Sequence, residues 1–92
     1  MIVVKNNIEL RKFINQRIEE QGPNCDLSEM DVSGVTSMSH LFYESKFNGD
    51  ISQWNVSNVK NMDYMFEYSA FDGDISKWDV SNVKSMRFMF FR

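Results

Sequence analysis

Large apolar residues recur along this chain every 24 positions. Phe47 and Phe71, Trp54 and Trp78, Met62 and Met86, Met65 and Met89, and Phe66 and Phe90 are each 24 apart. Residues 47–68 align on 71–92 without a gap at 14 of 22 identical positions, and 23–46 align on 47–70 at 9 of 24. The shared pattern is F-x-G-D-I-S-x-W-x-V-S-N-V-x-x-M-x-x-M-F. A unit this short cannot bury its own apolar face, so it must stack on the next one. The chain has 92 residues and is 42% hydrophobic and 25% charged, which is globular rather than disordered.

Within a unit two periods alternate. Val59, Met62, Met65 and Phe66 form a helix-like stripe of about two turns, partly 3₁₀. Ser57 or Asn58 before it is placed to cap exposed amides, as are Ser81 and Asn82, and Ser33 with Gly34. The other half, Asp50–Val56, reads as a short strand and a bend. Gly49 and Gly73 are expected to supply a tight turn at positive φ before it. Strands of successive units would then pair in parallel. The spacing therefore predicts an α/β repeat, a leucine-rich-repeat-like solenoid of about three strand-plus-short-helix units at 23–46, 47–70 and 71–92.

Residues 1–22 do not repeat. Asn6-Asn7-Ile8-Glu9 reads as a capping box, with Glu9 at the third helical position. Leu10, Phe13, Ile14 and Ile18 form one apolar stripe, and Gly22-Pro23 ends the helix. This amphipathic helix would cover the open end of the first unit.

The runs beginning Phe47-Asn-Gly-Asp-Ile-Ser-Gln-Trp and Phe71-Asp-Gly-Asp-Ile-Ser-Lys-Trp resemble the BspA-like leucine-rich-repeat surface proteins. They are most similar to the bacterial subgroup with tryptophan-aspartate-valine-serine repeats and no assigned activity. The likeness covers residues 23–92, and 8–22 resemble the helix that precedes such arrays. The resemblance implies a leucine-rich-repeat-like solenoid, display on a bacterial surface, and adhesion or protein binding. It carries over no catalytic residue.

Charge and residue counts narrow the chemistry. The net charge is −3 and the pI near 5.0, against a phosphate-backbone binder, so no nucleic acid is expected. One cysteine and one histidine leave no disulfide framework and no Cys–His zinc site. Cys25 stands in the column of Gly49 and Gly73, and His40 in that of Tyr64 and Phe88, so neither is a special insertion and the chain does not read as an enzyme. Asp26, Asp50 and Asp74 share a column with two readings, a Ca²⁺ or acid-pair site and caps on their own turn amides. The absence of a second acidic column favours the caps. Trp54 and Trp78 are either a stacking platform or core, and Met30 in their column favours core. No cofactor or metal is expected.

No stretch matches a signal-peptide core, a lipidation leader or a membrane span. The chain as given therefore reads as cytoplasmic, or as a piece of a longer exported protein. Two functions remain in view. One is a non-enzymatic module binding a protein or glycan through Asp50, Ser52, Gln53, Asp74, Ser76 and Lys77. The other is a purely structural N-terminal fragment of a longer array. The third unit stops within its helical half at Met86–Arg92 with no polar cap, so its end face is expected to expose apolar side chains and to permit a homodimer.

Overall fold

The computed structural model describes residues 1–90, so Phe91 and Arg92 of the third unit lie outside the described residues. Three regular elements are present among them: strand β1 (Ile2–Val3), helix α1 (Asn7–Gln21) and strand β2 (Met30–Asp31). Strands β1 and β2 pair in parallel, Ile2 with Met30 and Val3 with Asp31.

Helix α1 starts and stops for local reasons. The Asn6 side chain accepts the Glu9 amide at 2.9 Å, meeting one of the first-turn N–H groups that have no helical partner. Gly22 ends it at φ 88°, its N–H donating to the Ile18 carbonyl at 2.7 Å. Leu10 and Ile14 are buried, with Phe13 and Ile18 packed beside them against the core. The helix also pins the first repeat by polar contacts. Asn7 Nδ2 donates to the Ser39 carbonyl at 2.9 Å, and Arg17 pairs with Glu29 at 3.0 Å.

The expected leucine-rich-repeat-like solenoid of strand-plus-short-helix units does not form. Units 47–70 and 71–90 contain neither a helix nor a strand, and β2 in the first unit pairs with β1 rather than with another unit. The described residues form a small domain of one helix, a two-stranded parallel sheet and a succession of turns. The cause lies in where the backbone amides go. A 3₁₀ or α segment would keep its N–H groups within the segment. Here alternate amides leave it. Those of Met38, His40, Phe42 and Glu44 donate to the carbonyls of Asn61, Asp63, Met65 and Glu67 at 2.9–3.0 Å. Those of Met62, Tyr64 and Phe66 donate to Ser85, Arg87 and Met89 at 2.8–2.9 Å. Only the intervening amides close turns, such as Met65 N–H on Met62 O and Ser69 N–H on Phe66 O.

Backbone angles agree with this. His40, Tyr64 and Phe88 sit at φ 60°, 59° and 53°, and Glu44 and Tyr68 at 52° and 54°. A left-handed residue interrupts a right-handed helix and costs a non-glycine side chain about 1–2 kcal/mol. Ring stacking offsets that cost. His40 lies on Tyr64 with centroids 4.7 Å apart, and Tyr64 on Phe88 at 5.4 Å. The expected strand at 50–56 is likewise a turn, with Trp54 N–H bonded to Ile51 O at 3.2 Å. Parallel pairing between repeats is reduced to single bridges, Ser37 to Asn61 and Asn61 to Ser85.

The repeat columns build the core. Phe42 and Phe66 stack at 5.4 Å and 3°, and Phe66 and Phe90 at 5.2 Å and 6°. Phe47 and Phe71 lie parallel at 6.2 Å. Met38, Met62, Val35 and Val59 are fully enclosed. Burial fades in the third repeat, where Met86, Phe88 and Phe90 are 44%, 54% and 59% exposed.

Glycine at 49 and 73 serves close approach, not the positive φ expected, since Gly22 is the glycine found at positive φ. A Cβ on Gly49 would lie 2.6 Å from the Cys25 carbonyl oxygen and 2.8 Å from the Phe47 ring. On Gly73 it would lie 2.6 Å from the Phe71 ring.

Candidate functional site

Short polar turns line one side of the domain, and their sequence dictates their shape. An Asp or Asn followed two residues later by Ser favours a turn in which the side-chain oxygen accepts the serine amide. Asp26 accepts from Ser28 N–H at 2.9 Å, Asp50 from Ser52 at 2.9 Å and Asp74 from Ser76 at 2.8 Å. The Asp26–Asp50–Asp74 column thus caps its own turns. A second column, unnoticed in the sequence reading, does the same five residues on. Asp31, Asn55 and Asp79 accept the amides of Ser33, Ser57 and Ser81 at 3.0–3.1 Å. Its signal was available as Asp or Asn at 24-residue spacing, each two places before a serine. Ser57 and Asn58 do not cap a helix. Asn58 and Asn82 instead donate across repeats to the Ser33 and Ser57 carbonyls at 2.7 Å.

These bonds fix the charge state of the turns. The Ser28 hydroxyl and amide hold Asp26 below the usual carboxylate range. The Ser33 hydroxyl and amide do so for Asp31, the Ser52 amide and hydroxyl for Asp50, and the Ser76 hydroxyl and amide for Asp74. The carboxylates are therefore ionised at neutral pH. Asp26 and Asp74 repel the charge on Asp50, while Lys77 relieves Asp74.

Two depressions adjoin at Asp50. The first, of about 390 Å³, has an apolar floor of Met30, Ile51 and Trp54, with Asp26, Asp31 and Asp50 along its lining. The second, of about 560 Å³, is lined by polar residues and glycine, among them Asn48, Asp50, Ser52, Asp74 and Lys77. Of the six candidate surface residues, Asp50, Ser52, Gln53, Asp74 and Lys77 line one or both depressions, and Ser76 lies outside them. They stand on turns, not on the small sheet expected. Ser52 is half-buried and the other five are exposed.

The remaining chemistry-bearing residues serve structure. Trp54 and Trp78 are each 7% exposed, and their indole N–H groups donate to the Leu27 and Ile51 carbonyls. Both are core. Cys25 is buried, and desolvation pushes its thiol pKa up, so it stays protonated. His40 Nδ1 meets Ser39 Oγ at 2.8 Å while its ring stacks on Tyr64. Asp63 was also missed by the sequence reading, because its column holds Ser39 and Arg87 and shows no acidic repeat. It is buried and accepts from the Ser85 hydroxyl and the Arg87 amide, joining the second repeat to the third. Among the described residues no group of three or more His, Cys, Asp or Glu is arranged to hold a metal. No described helix is long and apolar enough to cross a membrane.

A family model described as "Mycoplasma protein of unknown function, DUF285" matches residues 9–92. No curated protein and no solved structure matches the chain.

Proposed function

The chain belongs to the family of Mycoplasma proteins of unknown function designated DUF285, and from that footing we propose that it is a non-enzymatic interaction module. Its partner is a protein or a glycan. Its working surface is the row of turns carrying Asp50, Ser52 and Gln53 on one repeat and Asp74, Ser76 and Lys77 on the next. In this reading the chain acts as the BspA-like surface repeats are thought to act, by adhesion or protein binding. One observation carries the proposal: two adjoining depressions share Asp50 on a surface whose turns are fixed by their own hydrogen bonds. Such a surface binds without first having to order its loops, which lowers the entropic cost of association.

The test is capture of partners on the immobilised full chain. Joint replacement of Asp50 by Asn, and of Ser52 and Gln53 by Ala, should release the captured partner. A control change of Arg11 and Lys12 on α1 should not. Capture that survives the triple change rejects the surface.

The exposure of Met86, Phe88 and Phe90 favours a second reading, association of two copies through the third repeat. Sedimentation at high micromolar concentration distinguishes the two. A monomer there excludes the homodimer and leaves the turn surface as the interaction site.

A further inference from the structure

The first depression has a chemistry that the general reading of an interaction module does not specify. Its floor is apolar, formed by Met30, Ile51 and Trp54. Its lining carries three carboxylates, Asp26, Asp31 and Asp50, on turns that hold them ionised. A cavity of about 390 Å³ is too small for a folded surface and large enough for one or two side chains. A lysine or arginine combines an apolar stem with a charged head, and arginine adds a flat face that lies on an indole and a fork that matches carboxylates.

Resting on the proposal that this surface binds a protein, we infer that the depression receives an arginine side chain of a partner polypeptide. Its stem lies over Trp54 and Ile51, and its guanidinium sits among Asp26, Asp31 and Asp50. Charge complementarity argues for this occupant. Asp50 has only like charges acting on it, from Asp26 and Asp74. The cations beside this lining are already engaged or stand at its edge: Arg17 pairs with Glu29 and acts on Asp26, Lys77 lies in the adjoining depression beside Asp74, and Met1 is at the chain start. An apolar side chain would leave Asp31 and Asp50 without a cation, and an acidic one would be repelled.

The chain itself supplies a clean perturbation. Asn55 occupies the same kind of turn as Asp50 and makes the same bond to the serine two residues on, at 3.1 Å. Asp50→Asn and Asp26→Asn therefore remove charge and keep the turn. The probe is a short peptide with blocked ends, leucine-arginine-leucine, titrated into the full-length chain and followed by the indole N–H signals of Trp54 and Trp78. Its partner probe carries citrulline for arginine, with the same shape and no charge.

The expected result is saturable movement of the Trp54 signal with the arginine peptide and little at Trp78. Asp50→Asn should weaken binding by about fivefold, the upper range for one exposed ion pair, and added salt should weaken it further. Equal binding of the citrulline peptide, movement centred on Trp78, or no movement overturns the inference. A lysine peptide that binds as tightly as the arginine one overturns the choice of arginine. If the peptide fails while captured partners are still lost on changing Ser52 and Gln53, the interaction surface stands and only the arginine is wrong.

Discussion

Phe66 is a ring of the second repeat in contact with rings of the first and the third. It is 2% exposed and lies parallel to Phe42 at 5.4 Å, to Phe71 at 4.8 Å and to Phe90 at 5.2 Å, with Trp78 tilted at 6.4 Å. Phe66→Leu keeps an apolar side chain in place and removes the flat face. Aromatic pairs contribute about 0.5–1.5 kcal/mol each beyond the area they bury. Three stacked pairs, one of them to the half-open Phe90, put the loss at about 2–3 kcal/mol. For a domain of this size each kcal/mol shifts Tm by about 4–8 °C, so a fall of about 10–20 °C is expected in a thermal melt followed by circular dichroism. The control is Met65→Leu, equally buried and volume-conserving, which should cost less than about 1.5 kcal/mol. If Phe66→Leu costs no more than Met65→Leu, parallel stacking does not hold the repeats together and the core is only a matter of filled volume.

Gly49→Ala should destabilise more than Gly73→Ala, because the new methyl at 49 meets the Cys25 carbonyl as well as a ring, whereas at 73 the nearest backbone atom is 3.6 Å away. Overpacking of this kind costs about 1–3 kcal/mol, and urea midpoints of the two variants give the order. Asn6→Ala should lower stability by about 1 kcal/mol through loss of the α1 cap, read as a lower Tm in the same melts. Acid should unfold the chain through its turns. Asp26, Asp31, Asp50, Asp63, Asp74 and Asp79 all titrate below their ordinary value in the folded state, held there first by hydrogen bonds. Their contribution is therefore complete above the unfolded carboxylate pKa of about 3.9 and is lost as pH falls through the lower folded values. Tm should be level between pH 7 and 5 and fall steeply below pH 4, and a level Tm down to pH 2 contradicts this account.

The helix was legible because its signals are local: an Asn cap, a stripe at Leu10, Phe13, Ile14 and Ile18, and a terminal glycine. The contact columns were legible because identical rings at 24-residue spacing must meet. The secondary structure of the repeat was not. Val59, Met62, Met65 and Phe66 satisfy a helical stripe, and a succession of turns closed three residues apart, as at Val59 on Val56 and Met65 on Met62, buries the same residues. The choice between them lies in whether Met62, Tyr64 and Phe66 give their amides to their own segment or to the next repeat. No residue type records that choice, and a tyrosine at φ 59° carries no glycine to announce it. Gly49 and Gly73 were visible as special, but a close carbonyl and ring explain them rather than a turn angle. At the candidate surface, Asp50 and its neighbours were found by their column. The Asp31 column and Asp63 were missed, the first by looking for acid alone and the second because only the fold makes it a partner of Ser85 and Arg87.

The inter-repeat ladder has a consequence for any assembly of this domain. Along 38–44 and 62–66 every rung runs the same way, with the earlier repeat giving the hydrogen and the later one taking it. This row is thus a vector, with a donor end and an acceptor end, although beside it the Lys60 and Lys84 amides run the other way, to the Thr36 and Lys60 carbonyls at 2.8 Å. At the acceptor end the Asn7 side chain occupies the Ser39 carbonyl, so a single amide from α1 stands where the backbone of a preceding repeat would have been. At the other end the third repeat takes the hydrogens of Met62, Tyr64 and Phe66 on its Ser85, Arg87 and Met89 carbonyls. Two copies meeting there about a two-fold axis would set like end against like end of this row. Such a pair would have to be held by Met86, Phe88 and Phe90 side chains, without continuing the row of main-chain bonds that joins the repeats within one chain.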